Sequence, residues 1–247
     1  MPDLTYHPAE TRELKAHLAV PIGEGPWPGV VVVMDVVGLS DDIREQTDKL
    51  AAAGYLAFAP DLYSGRGPKC VMATLRASRS GSGEAYEDIE AARHWLAERA
   101  DCTGTIGIIG FCMGGGFALL SASRYDFAAA SVNYGEVPDD AVQRLADTCP
   151  IVASYGRRDR SLRGRAAKLD SALQTLGVEH DVKEYPNAGH AFMNRINAGP
   201  LFNPVLKFVA MNYHHPSAED SWRRILTFFD AHLKHGGKPA PGSAPAT

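Results

Sequence analysis

The apolar positions of this chain fall into short runs that alternate with longer stretches of helical period. Gly29–Met34 (GVVVVM) is a continuous β-branched run, the pattern of a strand buried on both faces. Asp41–Ala53 follows with Ile43, Thr47 and Leu50 at helical spacing, and Gly54 supplies the stop. Tyr55–Ala59 (YLAFA) is the next predicted strand, and the glycine-rich stretch Pro60–Gly83 predicts a loop. Glu84–Ala100 carries Ile89, Ala92 and Leu96 on one face and predicts an amphipathic helix. Beyond it come strand Thr105–Ile109, helix Gly114–Arg124, strands Ala128–Tyr134 and Ile151–Tyr155, helix Ser161–Leu176 ended by Gly177, strand Val178–Tyr185 and a closing helix Ala218–Leu233. Strands alternating with helices imply an α/β fold with a mostly parallel central sheet covered on both faces. In such sheets ligands bind beyond the carboxyl ends of the strands, so the chemistry is sought there.

Two segments stand apart. Gly199–His215 holds Leu201, Phe202, Val205, Leu206 and Val209, and reads either as a lid or pocket wall or as a short core helix. His235–Thr247 (HGGKPAPGSAPAT) lacks the apolar residues to bury a core and reads as a flexible tail, which leaves residues 1–234 as one expected domain.

Composition narrows the function classes. With 247 residues, 45% apolar and 22% charged, the chain is not a largely disordered one. Lys+Arg 25 against Asp+Glu 29 gives a net charge of −4, which argues against nucleic acid as a partner. No run of about 18 apolar residues exists, so no membrane span is expected. The first residues lack a signal-peptide core, so a cytoplasmic location is expected. Cys70, Cys102, Cys112 and Cys149 form no CxxC, which disfavours a disulfide framework or a zinc site. The pair His214-His215 has no i, i+4 ligand partner. Neither metal nor cofactor is expected.

The sharpest signal follows the run TIGII. Gly110-Phe111-Cys112-Met113-Gly114 is G-x-C-x-G, a nucleophile-elbow pattern with sulfur in place of the usual serine oxygen. A sharp strand-to-helix turn strains the central residue, and the residues two before and two after it must be small. The helix N-terminus that follows favours an anionic sulfur, and the Met113 N–H is placed to donate to a developing oxyanion. A nucleophilic thiol needs a base and an acid to orient it, in the chain order nucleophile, acid, histidine of the α/β-hydrolase fold. Asp159 follows the strand IVASY in GRRDR, and His190 follows VKEYP in NAGHAF. The bland readings are a packing turn for Cys112, a cap or arginine ion pair for Asp159 and a structural imidazole for His190.

These segments resemble the dienelactone hydrolase family, carboxymethylenebutenolidase-like. The resemblance runs from about Pro28 to Leu233 and rests on MDVVGLSDDIRE with AAGYLAFAPDLY, GIIGFCMGGG, YGRRD and NAGHAF in that order. It implies a Cys112, Asp159 and His190 triad and a second oxyanion donor at the Val36 N–H. It also implies hydrolysis of lactones or activated esters through an acyl-cysteine. The family carries a glutamate that engages the resting thiol; the matching position here is Asp35, one methylene shorter. It also carries two arginines that hold a substrate carboxylate. One falls at Asn194, beside Arg195, and the other near Arg76 and Arg79, so a charged bidentate clamp is not carried over intact.

The partner expected is a small ester or lactone, and the chain is expected to act as a monomer or homodimer. Three other readings stay open. One is a carboxylesterase or thioesterase acting on a neutral substrate. Another is a ligand-binding protein on the same scaffold, which an intact triad argues against. The third is a redox-sensing thiol, for which no resolving cysteine is apparent.

Overall fold

A computed structural model describes residues 4–9, 12–64, 68–195 and 213–235; within these, a few side chains, that of Arg79 among them, fall outside the description. Eight strands form one sheet: β1 (Leu4–Ala9), β2 (Arg12–Ala19), β3 (Trp27–Val33), β4 (Leu56–Pro60), β5 (Cys102–Phe111), β6 (Ala129–Asn133), β7 (Ile151–Gly156) and β8 (His180–Tyr185). Their order across the sheet is β1-β2-β4-β3-β5-β6-β7-β8. From β4 to β8 all pairings are parallel, with Val31 level with Phe58 on one side and with Ile108 on the other. The sheet is covered by helices on both faces. The run read as a doubly buried strand is one: Val30, Val31, Val32 and Val33 are fully buried.

The N-terminal hairpin is an addition to the predicted parallel sheet. β1 pairs antiparallel with β2, and β2 pairs antiparallel with β4. In β2 Leu14, Ala16 and Leu18 alternate with exposed or polar positions, the period-2 signature of a strand.

The helices are α1 (Asp41–Ala52), α2 (Pro68–Ser80), α3 (Glu84–Ala97), α4 (Met113–Arg124), the short α5 (Ala141–Arg144), α6 (Arg165–Leu176) and α7 (His215–Phe229), which runs into a π turn at Asp230–Lys234. α1 buries Ile43, Thr47 and Leu50 as the spacing predicts, and the Ser40 side chain caps it by accepting from Ile43 N. α7 starts earlier than predicted and buries Ala218, Trp222, Ile225 and Phe229, one stripe at helical period. Glycine at residue 177 in the left-handed region (φ 66°) ends α6 as expected.

Two expectations need correction. Pro60–Gly83 is not a loop throughout, because α2 occupies Pro68–Ser80 within it. Its glycines flank the helix instead of interrupting it, and Thr74 and Ala77, three residues apart, are buried on its inner face. The helix predicted from Ser161 begins only at Arg165, after Gly164 at φ 77°. Most of Gly199–His215 and the tail beyond His235 lie outside the described residues. Among the described residues no helix is long and apolar enough to cross a membrane.

Candidate active site

The site is built at the carboxyl ends of β3, β5 and β7 and in the loop after β8. Cys112 sits between the end of β5 and the start of α4 with φ 56° and ψ −116°, a conformation that L residues rarely adopt. Its own N–H donates to the Asn133 carbonyl at 3.0 Å, and its carbonyl accepts from Gly115 N, so both sides of the strained residue are pinned. The turn fixes the thiol, half-buried, in the wall of a cavity of about 710 Å³.

Asp159 is held by the turn after β7. Its N–H donates to Gly156 O at 3.1 Å, and its Oδ1 accepts from Ser161 N at 2.9 Å and from Ser161 Oγ at 2.6 Å. Burial pushes the Asp159 carboxyl up, but the hydrogen bonds from His190 and Ser161 outweigh it and hold it below the usual carboxylate range. It pairs with His190, not with its arginine neighbours in sequence: His190 Nδ1 lies 2.6 Å from Asp159 Oδ2. The two loops meet backbone to backbone at Gly156, where a Cβ would lie 2.4 Å from Gly189 O. Arg158 N also donates to Ala188 O at 2.9 Å.

His190 Nε2 lies 3.0 Å from Cys112 Sγ. Burial draws the imidazole pKa down, yet the contacts with Asp159 and Cys112 win, and the net shift is upward. The ring is braced by Tyr134, edge-on at 5.5 Å between centroids, and Tyr134 packs on Phe192 in the same loop. Three residues that chain order requires, drawn from three strand ends, therefore meet through one imidazole.

Val36 and Met113 both line the cavity beside Cys112. Asp35 is buried, and its Oδ1 accepts from Val37 N at 2.8 Å. Burial, reinforced by Asp42, pushes its carboxyl up to about 6, against the hydrogen bond from Val37. Its hydrogen-bonding partner is thus the loop backbone. Arg76 is exposed and lines a different cavity, between α2 and α3. Asn194 is buried away from the cavity, accepting from Tyr134 Oη and donating to Asp42, whose Oδ1 also takes Arg195 N at 2.7 Å. The side chain of Arg79 is outside the described part.

Sequence reading alone passed over Ser161, Tyr134 and Asp42. Ser161 carried a signal, since Asp-x-Ser after a strand is a local side-chain-to-backbone turn. Tyr134 read only as the end of a strand, and Asp42 only as a position within the helix predicted from Asp41. The cavity wall contains Arg144 and Arg165, and both are already paired. Arg165 reaches Glu136 at 2.6 Å and Asp139 at 3.1 Å, and Arg144 reaches Asp140 at 3.0 Å.

A parallel sheet whose central strand ends in a strained turn before a helix, with an acid and a histidine returned by later strands, defines an α/β-hydrolase-fold protein. The chain belongs to the dienelactone hydrolase family, whose sequence profile matches residues 14–233. A relative from Yersinia pestis, named as a candidate carboxymethylenebutenolidase, is 30% identical over 246 residues, covering 92% of this chain and 87% of its own. The carboxymethylenebutenolidase of Rhodococcus opacus is 29% identical over 224 residues, covering 84% and 82%. Among solved structures, a candidate dienelactone hydrolase from Klebsiella pneumoniae superposes with a TM-score of 0.77 at 26% identity, covering 92% of this chain and 97% of that one. The chain is a hydrolase of this family, which acts on small molecules.

Proposed function

We propose that this chain hydrolyses lactones or activated esters by transferring the acyl group to Cys112. The observation that carries this reading is the position of His190, 3.0 Å from Cys112 Sγ on one side and 2.6 Å from Asp159 on the other. His190 takes the thiol proton, and Asp159 fixes the imidazole with Nδ1 as donor and Nε2 facing sulfur. The sulfur attacks the carbonyl carbon, and the Met113 and Val36 N–H groups bind the oxyanion. Collapse of this intermediate breaks the C–O bond, and the imidazolium returns its proton to the departing alkoxide or enolate. Water, deprotonated by His190, then cleaves the thioester and restores the thiol. Thiolate leaves more readily than an amine anion, so lactones, enol esters, aryl esters and thioesters fit this site and peptides do not.

The test is incubation with p-nitrophenyl acetate followed by intact-mass measurement. An acetyl adduct is expected on the parent and none on Cys112→Ala. A Cys112→Ala variant that turns over as fast as the parent sinks the reading.

A neutral substrate, handled by a carboxylesterase or thioesterase, is favoured over an anionic one by a specific observation. Both arginines that line the cavity among the described residues are already neutralised by Glu136, Asp139 and Asp140. Paired aryl esters that differ only in a carboxylate on the acyl chain decide this, with the neutral ester expected to react faster.

A further inference from the structure

We propose that Tyr63 is a positioning residue that aims the Val36 amide at the oxyanion; this rests on the roles given to Val36 and Cys112 above. The loop that leaves β3 at Met34 has no strand neighbour to set the direction of its peptides. Side chains and a tight turn set it instead. The peptide that carries the Val36 N–H has the Asp35 carbonyl at its other side, and that carbonyl accepts from Gly38 N at 3.2 Å. In a trans peptide, turning the carbonyl toward Gly38 turns the Val36 N–H the opposite way.

The next peptide is held at both ends. Val37 N–H donates to Asp35 Oδ1 at 2.8 Å, and the Val36 carbonyl accepts from Tyr63 Oη at 3.1 Å. Both peptides flanking the Val36 Cα are therefore pinned, and only Tyr63 among these contacts reaches in from another strand end. It can do so because β4 lies beside β3 in the sheet, which places their carboxyl ends side by side. Tyr63 is itself fixed, with its N–H donating to Asp61 Oδ1 at 3.0 Å, while Ser64 Oγ donates to Asp61 O at 2.6 Å. Its phenol is half-buried and, through burial first and then nearby acidic groups, pushed up to about 12, so it stays a donor over the working pH range.

The experiment compares two reactions at the same sulfur in the full chain. Acylation by p-nitrophenyl acetate passes through an oxyanion; alkylation by iodoacetamide displaces iodide and does not. Tyr63→Phe is expected to slow acylation about five- to tenfold, the scale of one lost hydrogen bond, with KM little changed. Alkylation of Cys112 is expected to keep its parental rate and pH profile. Equal losses in both reactions would overturn the proposal, because Tyr63 would then act on the thiol or on folding. Parental acylation in the variant would overturn it too. A parent that forms no Cys112 adduct overturns the hydrolytic reading itself, and does so before any variant is compared.

Discussion

Gly110 and Gly114 close on each other across Cys112. A Cβ on Gly110 would sit 1.9 Å from the Gly114 carbonyl oxygen, and one on Gly114 would sit 2.3 Å from Val33 O. These approaches are to backbone, which has no rotamer by which to yield. The elbow therefore admits no side chain at either flanking glycine.

Gly110→Ala is expected to destabilise the fold by about 3 kcal/mol or more, the scale of forced overpacking with a backbone shift. Urea unfolding would measure it. The same variant should lose selective alkylation at Cys112, because the strained φ cannot be kept once the turn opens. A variant with parental stability would show that the turn is looser than the contacts say.

Asp159→Asn should preserve the fold and reduce kcat/KM by on the order of 10²–10⁴, because an amide no longer stabilises the imidazolium or enforces one tautomer. Asp159 is one of the groups holding the His190 pKa up. The imidazole should therefore titrate at lower pH in the variant, as followed by NMR of the ring protons. Unchanged titration and unchanged turnover together would remove Asp159 from the site.

Asp35 predicts a stability that depends on pH. Its folded pKa of about 6 lies above the unfolded value near 3.8. Between those values the folded state holds more protons than the unfolded state, so stability falls as pH rises through the window and stays reduced above it. The cost for this buried carboxyl is about 2–3 kcal/mol at neutral pH. Asp35→Asn should accordingly raise the melting temperature at pH 8 and give progressively less gain toward pH 4. A gain that is the same at both pH values would place the cause elsewhere.

Asn194→Ala should cost stability and leave substrate preference alone. The variant strips Tyr134 Oη and Asp42 of a partner, and leaving buried polar groups unmet costs about 1–3 kcal/mol. Thermal melting should show the loss. KM values for neutral and carboxylate-bearing esters should move together; a selective rise for the anionic ester would give Asn194 the substrate contact that its burial denies it.

The residues that meet around Cys112 are largely legible in the sequence, for a physical reason. The elbow needs glycines at fixed offsets and a β-branched strand before it, and G-x-C-x-G after TIGII shows both. Asp159 lies a few residues past the apolar strand β7, and His190 a few past β8, whose HDVKEY is mostly polar, so the chain order of strands more than apolar period points to their strand ends. The remainder is long-range. Tyr134 meets Asn194 across 60 positions and Asn194 meets Asp42 across 152, and no local pattern encodes such pairs. Helix α2 was missed because glycines at its borders outweighed the short buried face between them. The N-terminal hairpin was missed although the alternation of Leu14, Ala16 and Leu18 was there to read.

The 78 positions that separate Cys112 from His190 also set an order of events during synthesis. The ribosome delivers the sulfur, the glycines around it and the strand beneath it well before the ring that lies 3.0 Å from it in the fold. A chain stalled anywhere in that interval carries the sulfur without the imidazole that packs against it in the finished fold.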